Sequence, residues 1–449
     1  MAVTTDKGSN YEVKSMDLAD KGTKIIEWAR RHMPVLQIIN DNYAKEQPFK
    51  GYKIGCCLHV TKETAVLAVT LKNAGAEVHL CASNPLSTTD EVAAGLVKAG
   101  INVYAWRDMD NDGYYRSIAN VLNAEPQITI DDGADLVSSL HKMKRGETGA
   151  EIEIIKKYLK VDGAKIIDKV LAGAEETTTG IIRLRAMAED KALLYPILAT
   201  NNLYVKHEMD NLWGTGQSTI DGILRATADL IAGSIFVVSG YGHCGRGVAL
   251  RAKGLGARRV IATEIDPFRA LTATMEGIEV MPMAEAAKIG DVFVTATGCK
   301  HVISYENMES MKNGAVVCNT GHFDVEIDLK TLREKATAVE SLRTNTQQFT
   351  LPSGKSVTVL AEGRLVNLSA AEGHPSQVMD MSFAGQFLAA HHIVSNKDTL
   401  TGHGGVVIEI PKDIDEKIAR LKLEALGIKF DTLTPAQHAY LTGWKEGTE

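Results

Sequence analysis

The chain has 449 residues, 45% of them hydrophobic and 23% charged, with a formal net charge of -7. That length exceeds one comfortable core and predicts two or three domains, while the acidic balance leaves no basic footprint for nucleic acid or an anionic membrane. No apolar run approaches the roughly 20 residues that span a bilayer, and the opening MAVTTDKGSNYEV lacks the apolar core of a secretory leader, so a cytoplasmic protein is expected.

A helical pattern over 25–36 (IIEWARRHMPVL) opens the chain. Apolar strand-like runs then alternate with helical ones. Residues 52–58 read as a strand, 61–74 as a helix ending at Gly75, 77–82 as a strand, 88–99 as a helix before Gly100, and 101–106 as a strand. Strand, helix, Gly, strand at this spacing predicts βαβ units and a parallel sheet covered on both faces. A further strand, 127–130, runs into Asp131, Asp132 and Gly133. Ligands bind beyond the carboxyl ends of such strands, which puts these carboxylates where chemistry is done. Residues 142–173, rich in Lys, Glu and Ile, read as one amphipathic surface helix without assigned function, and 199–206 as a strand leading to Lys206.

A second α/β block begins near Gly214, with a helix over 218–231 and strands at 235–239, 259–263, 292–295 and 315–318. The first of these strands runs into Gly240-Tyr-Gly242-His-Cys-Gly245, a GxGxxG turn before a helical pattern. Gly240 permits the tight turn, Gly242 lets backbone approach a pyrophosphate, and Gly245 lets helix pack on strand; the helix N-terminus offers free N–H groups to the anion. The strand at 259–263 ends in Glu264, 24 residues after Gly240. An acid there can accept from a ribose 2′-hydroxyl, which favours NAD over NADP.

The six cysteines (Cys56, Cys57, Cys81, Cys244, Cys299 and Cys318) lack CxxC spacing, and several sit in apolar runs; buried reduced thiols are expected. No metal is expected, since HxxxH, CxxC and clustered His–carboxylate spacings are missing. The remaining polar clusters are His59-Val-Thr61-Lys-Glu63-Thr64, Asp131-Asp132, Glu176-Thr177-Thr178-Thr179, and the run from Asn201 through Lys206 to Asp210 and Asn211.

The segments CLHVTKETAVL, DDGADL, EETTTG, KHEMDN, GYGHCGRG, TEIDP, TGC, CNTGHFDVEID, LAEGRLVNLSAAEGHPS and VMDMSFAGQ, in this order, resemble those of S-adenosylhomocysteine hydrolases along nearly the whole chain. The resemblance implies an α/β protein of two doubly wound, Rossmann-like parallel-sheet domains joined by a hinge, with a small C-terminal helical segment. Residues 1–204 and 373–407 would form the substrate-binding domain, 205–213 a hinge, 214–372 the NAD-binding domain and 408–449 the C-terminal segment. It implies a homo-oligomer, tetramer or dimer, that reversibly hydrolyses S-adenosylhomocysteine to adenosine and homocysteine by oxidising and re-reducing the sugar with NAD. Position by position, Asp132, Glu176, Lys206 and Asp210 would surround the ribose, with His59 and His322 nearby. Thr61, Glu63 and Thr64 would lie at the nucleoside, Glu63 at the adenine edge, and His374 would belong to a gate over the site. Thr177, Thr178, Thr179, Asn211, Gly240, Gly242, His243, Cys244, Gly245, Glu264, Thr297, Asn319, Gly321 and Asn367 would serve the dinucleotide.

The residue types suit that chemistry. A thioether at C5′ resists water, and acid–base help alone supplies roughly a hundred- to ten-thousand-fold; a ketone at C3′ acidifies the C4′ hydrogen and permits elimination. Lys206 with Glu176 suits removal of the 3′-hydroxyl proton, with the lysine pKa lowered to serve as a base. Either Asp132 or the Lys206–Asp210 group takes the C4′ proton, and His59 and His322 suit protonation of sulfur and activation of water. A relative acting on S-inosylhomocysteine or another nucleoside, and a non-catalytic NAD-binding regulator, are the alternatives; Glu63, which can accept from an exocyclic amine, favours adenine. The chain departs from the usual pattern at Asn202, Val205, Thr89 and Glu372, and in its closing residues 442–449, where many members carry a Lys- and Tyr-bearing tail. Looser NAD retention is the expectation from that last departure.

Overall fold

The computed structural model describes residues 10–447; the first nine residues of the opening and the last two of the expected C-terminal segment lie outside the described residues. Six strands come first: β1 (Lys53–Leu58), β2 (Glu77–Ala82), β3 (Asn102–Tyr104), β4 (Ile128–Asp131), β5 (Ala172–Glu175) and β6 (Ile197–Ala199). A second set follows: β7 (Ile235–Ser239), β8 (Arg259–Thr263), β9 (Glu279–Val280), β10 (Val292–Thr295), β11 (Ala315–Asn319), β12 (Ala338–Arg343), β13 (Thr346–Thr350) and β14 (Ser356–Leu360). The last strand, β15 (Val407–Glu409), returns to the first set.

The first sheet has the order β15-β6-β5-β4-β1-β2-β3 and is parallel throughout. Its strands are buried along nearly their whole length, as a sheet with helices on both faces requires. The second has the order β12-β13-β14-β11-β10-β7-β8-β9. Its centre is parallel, but β12, β13 and β14 form an antiparallel edge. That edge was not anticipated: β12 is exposed along its whole length and so carries little of the hydrophobic signal by which the other strands are recognised. Two separate sets of cores result, one around the first sheet and two on the faces of the second. The two-domain α/β architecture read from the sequence is therefore the one found.

After the second domain the chain re-enters the first through the helix Ser376–Ser395, whose Phe383 and Phe387 join the first core. The helix Lys412–Ala425 docks there through Ile418 and through Lys422, 2.8 Å from Asp380. The helix Pro435–Thr442 follows, opened by a capping box at Thr434.

Three expected elements differ. The single helix over 142–173 is a helix Asp135–Lys144, a second helix Ala150–Tyr158, a short turn Gly163–Ile166 and the strand β5; Gly146 takes a left-handed φ of +68° and ends the first piece. The helix over 25–36 is split into Ala19–Arg30 and Pro34–Glu46, because Pro34 disfavours a helical Met33 and starts a new helix instead. The strand over 199–206 stops at Ala199, and Lys206 lies on a wide π-type helix, Val205–Gly214. All six cysteines are free, with Cys56, Cys57, Cys81 and Cys318 buried, Cys244 partly so and Cys299 exposed. Among the described residues no helix is long and apolar enough to cross a membrane.

Helix Ala19–Arg30 crosses helix Asp90–Lys98 at Gly22 and Gly95, where a Cβ on Gly22 would meet the Glu91 carbonyl oxygen at 1.7 Å. Gly22→Ala must push the two helices apart, at a cost of about 1–3 kcal/mol. A lower denaturant midpoint is expected, and an unchanged midpoint would refute the tight crossing.

Candidate active site

Strand order reverses between β4 and β1 in the first sheet and between β10 and β7 in the second, the positions at which open α/β sheets bind ligands. Four neighbouring strands of the first sheet deliver side chains there. His59 follows β1, Asp132 follows β4, Glu176 follows β5, and β6 leads through Asn201 to Lys206. The second sheet delivers Gly240 after β7, Glu264 after β8, Thr297 after β10, and Gly321 and His322 after β11. One cavity of about 250 Å³ lies between the two sets. It is lined by His59, Thr61, Glu63, Thr64, Asp132, Glu176, Thr177, Thr178, Thr179, Lys206, Asp210 and Asn211 from the first part of the chain. From the second come Gly242, His243, Cys244, Thr297, Gly321, His322, Asn367 and His374. Gly240, Gly245, Glu264 and Asn319 stand outside the lining and act through the backbone.

Lys206 is the cation of the chamber. Its Nζ lies 3.1 Å from Asp210 Oδ2 and 3.8 Å from Glu176 Oε1, and donates to Asn211 Oδ1 at 2.8 Å. Burial alone lowers an ammonium pKa, but Asp210, Glu176 and Asp132 outweigh it and hold Lys206 above its ordinary value. The lowered pKa expected from the sequence is thus reversed here, because three carboxylates face one amine. Asp210 also bonds His374 Nδ1. Burial raises the Asp210 pKa, yet His374 and Lys206 hold it well below the usual carboxylate range. Glu176 behaves oppositely: burial pushes it up to about 7 despite Lys206 and the donors Ser382 and Gln386.

Asp132 stands between two imidazoles, with His59 Nε2 at 3.5 Å and His322 Nδ1 at 3.6 Å. Burial pushes His59 down to about 4, so the ring is neutral at pH 7. His59, Asp132 and His322 bring ligand-capable atoms within 4.8 Å of one another, a group that could hold a metal ion. Local spacing in the sequence does not reveal it, since the three come from three distant strand ends. Glu63 sits in the first turn of the helix Lys62–Asn73, which Thr61 caps through the Thr64 N–H. It accepts from Ser376 Oγ at 2.6 Å, and Thr64 Oγ1 donates back to the His59 carbonyl at 2.5 Å.

The other half is built as a dinucleotide cradle. Gly240 has a φ of +90°, a Cβ on it would meet the Ala296 carbonyl oxygen at 2.9 Å, and a Cβ on Gly245 would meet the Gly240 oxygen at 1.9 Å. At Gly242 the nearest atom is Arg269 Nη1 at 3.5 Å, so backbone there is open to a ligand at the start of the helix His243–Gly254. Glu264 accepts from the Tyr241, Ile265 and Asp266 N–H groups at 2.6, 2.7 and 3.0 Å. Asn319 is fully buried and holds the Gly321 and Phe323 carbonyls and the Gly321 N–H. Asn367 donates to His374 Nε2 at 3.2 Å, while its Oδ1 is buried without a partner. An orphaned acceptor in the wall fits a bound amide.

Several site residues were not singled out in the sequence. Ser382 and Gln386 hold Glu176, and Met379 and Phe383 line the cavity. Their signal lies in the run VMDMSFAGQ: two polar residues four apart, and two apolar ones four apart, occupy separate stripes of one helix. Arg269, Thr215, Leu365 and Leu368 also line the cavity, and nothing in their surroundings marks them.

Residues 10–448 match the family model described as S-adenosyl-L-homocysteine hydrolase. The chain is 54% identical over 439 residues to an adenosylhomocysteinase of Aquifex aeolicus, covering 98% of this chain and 100% of that protein. It is 51% identical over 440 residues to one of Saccharolobus solfataricus, covering 98% and 100%. Identity is 50% over 449 residues to one of Gloeobacter violaceus, covering 100% of both.

The raised pKa of Glu176 links stability to pH. A carboxyl with its folded-state value pushed up to about 7 contributes stability that is complete below its unfolded value near 4.3, and loses it as pH rises through 7. Glu176→Gln removes this slope. The difference in unfolding free energy between variant and wild type should shift in the variant's favour from pH 5 to pH 8, by up to about 3 kcal/mol. Parallel stability curves over that range would contradict the raised value.

Proposed function

The chain belongs to the S-adenosyl-L-homocysteine hydrolase family, and from that premise we infer that it reversibly hydrolyses S-adenosyl-L-homocysteine to adenosine and L-homocysteine with NAD as its cofactor. The observation that supports the assignment of roles is the meeting, around one cavity, of the Glu176–Lys206–Asp210 group, the His59–Asp132–His322 group and the glycine turn, through its Gly242. The turn, the open backbone at Gly242, Glu264 beyond β8 and the unpartnered Asn367 Oδ1 fit NAD, with Glu264 set for a ribose hydroxyl. When bound, NAD supplies the reversible oxidation of the ribose 3′-hydroxyl that acidifies the C4′ hydrogen and frees the thiol at C5′.

The protein's own groups then divide the proton work. Lys206 stays charged and serves as a fixed donor to the 3′-oxygen as that oxygen loses its proton. Glu176, with its pKa at about 7, suits taking and returning that proton near neutrality. For the C4′ proton the arrangement favours Asp132 over the Lys206–Asp210 group, because Asp210 is held by both Lys206 and His374 while Asp132 faces two imidazoles. His59 and His322 flank Asp132 and suit the sulfur and the water. Glu63 gives one oxygen to Ser376 and keeps the other for an exocyclic amine, which supports adenine over hypoxanthine. His374, tied to Asp210 and 3.2 Å from Thr215 Oγ1, joins the strap over the site.

The enzyme is further proposed to work as a homo-oligomer in the cytoplasm. Ile265, Phe268 and Met275 in the second domain, and Phe430 and Trp444 near the C terminus, are exposed apolar side chains that an assembly would cover. Four buried free thiols suit a reducing compartment.

The direct test is incubation with adenosine and homocysteine, following thioether formation by mass. Synthesis is expected with NAD bound and not after the coenzyme is stripped, and restoration by NADP as readily as by NAD would contradict the role of Glu264. Lys206→Met should lower kcat at least about a hundredfold with NAD content unchanged by gel filtration; full turnover would remove Lys206 from the reaction.

A further inference from the structure

Two acidic pairs close the central strands of the first sheet, Asp131-Asp132 at β4 and Glu175-Glu176 at β5. Successive side chains on a strand point to opposite faces, so the second member of each pair lines the cavity and the first turns away behind it. Asp131 and Glu175 are register partners on neighbouring strands, and both are fully buried. Asp131 accepts from the Asp132 and Val137 N–H groups at 3.0 and 2.9 Å.

Glu175 reaches across the gap between the strand ends. Its Oε1 accepts from the Gly133 N–H at 2.8 Å and from the Thr177 N–H at 3.1 Å, while Oε2 is buried without a hydrogen-bond partner. Arg183, the cation of this cluster, is occupied by Asp135 at 2.7 Å and by the Gly133 carbonyl at 2.9 Å. An ionised carboxyl in that position bears its full desolvation cost without a counter-charge. Burial first, then Asp131 and Asp132, raise its pKa well above the carboxylate range. One glycine makes room for Glu175 and another, which it bonds, makes room for His322. A Cβ on Gly180 would meet Glu175 Oε1 at 2.1 Å, and a Cβ on Gly133, at φ +104°, would meet His322 Nε2 at 2.2 Å. The peptide that Glu175 grips is therefore the one on which His322 of the second domain lands.

We propose that Glu175 is a positioning residue: as a neutral acid sealed behind the cavity it clamps Gly133 to Thr177, and so fixes Asp132 in front of His322 and Glu176 in front of Lys206. Its titratable and charged surroundings are Asp131, Asp132 and Asp135 from β4 and the turn after it, Arg183 from the helix Thr178–Glu189, Tyr195 before β6, Cys57 on β1, and His322 from the second domain. Loss of its proton adds a charge beside Asp131 and Asp132 while Arg183 is already taken by Asp135, an arrangement that favours the neutral form.

Only the kinetic arm of the test rests on the reading of the cavity as the hydrolase site. Glu175→Gln keeps the acceptor for both N–H groups, and kcat at neutral pH should stay within about twofold of wild type. Glu175→Leu fills the space without an acceptor, and should lower kcat about tenfold or more with NAD retained. Infrared difference spectra of substrate-free protein in D2O at neutral pH should show neutral-carboxyl intensity, to which Glu176 also contributes, that falls in Glu175→Gln, a readout independent of substrate, of activity and of whether the leucine variant folds. The proposal is overturned by neutral-carboxyl intensity that is unchanged in Glu175→Gln, by a glutamine variant as impaired as the leucine one, or by an unimpaired leucine variant. Turnover of a different nucleoside would overturn the hydrolase reading and leave that intensity as the judge of the clamp.

Discussion

A parallel sheet sends every strand end to the same edge, because each connection must cross back as a helix before the next strand begins. In this protein that constraint acts twice, and the two edges are turned toward each other. His59, Asp132, Glu176 and the segment leading to Lys206 leave four adjacent strands of one sheet, and Gly240, Glu264, Thr297 and His322 leave four adjacent strands of the other. Residues more than two hundred positions apart meet without any one loop being long. The chain crosses between domains twice, at Val205–Gly214 and near Gly373, and both crossings border the cavity through Lys206, Asp210 and His374. The crossings and the cavity share the same residues.

Placing three carboxylates around one ammonium inside protein makes their titration collective. Lys206 is too well matched to act as a free amine, Asp210 is too well matched to act as a base, and Glu176, at 3.8 Å from Nζ and bonded by Ser382 and Gln386, is left near neutrality. His374 and distance set the division: Asp210, bonded by His374 and 3.1 Å from Nζ, is pinned ionised, and Glu176 at 3.8 Å is pulled both ways by burial and charge. A group poised between its two forms at working pH is what proton transfer needs, and here it arises first from burial, with Lys206 pulling down and Asp210 pushing up.

Most of this frame was legible in the sequence. The strands at 77–82, 235–239, 259–263 and 292–295 fall where the apolar runs predict them, since a buried parallel strand is a short unbroken apolar run between turn residues. The glycine turn was readable because each glycine answers a separate steric demand. What failed has equally physical causes. Residues 142–173 keep the Ile and Lys spacing of a helix, but Gly146 interrupts it and β5 begins inside it. In the antiparallel edge β12 is exposed throughout and β13 carries a single large apolar residue, Phe349, so the edge leaves little pattern. The pKa of Lys206 could not be read at all, because its sign depends on how many acids the fold gathers around one amine. The split of each acidic pair into a lining member and a buried member depends likewise on where a strand stops, the least legible feature of a sequence.

Closure of the two domains rests on contacts of unequal strength. Lys62 meets Glu372 at 3.1 Å, but Glu372 is 64% exposed, and exposed ion pairs contribute about 0–1 kcal/mol. Arg107 donates to the Ser369 carbonyl at 2.6 Å, a single hydrogen bond across the cleft worth about 1 kcal/mol. The buried contact of His322 with Asp132 depends on Gly133 having no side chain. None of these is large, and an enzyme that must admit and release a substrate cannot afford a stronger seal. Groups such as Asn367 Oδ1 and Asp132 have partners to gain inside the cavity, so a ligand that supplies them adds to closure what the protein alone leaves out. The weak rim and the polar, under-satisfied interior are therefore one arrangement: a ligand that fills the cavity supplies contacts that the protein alone lacks.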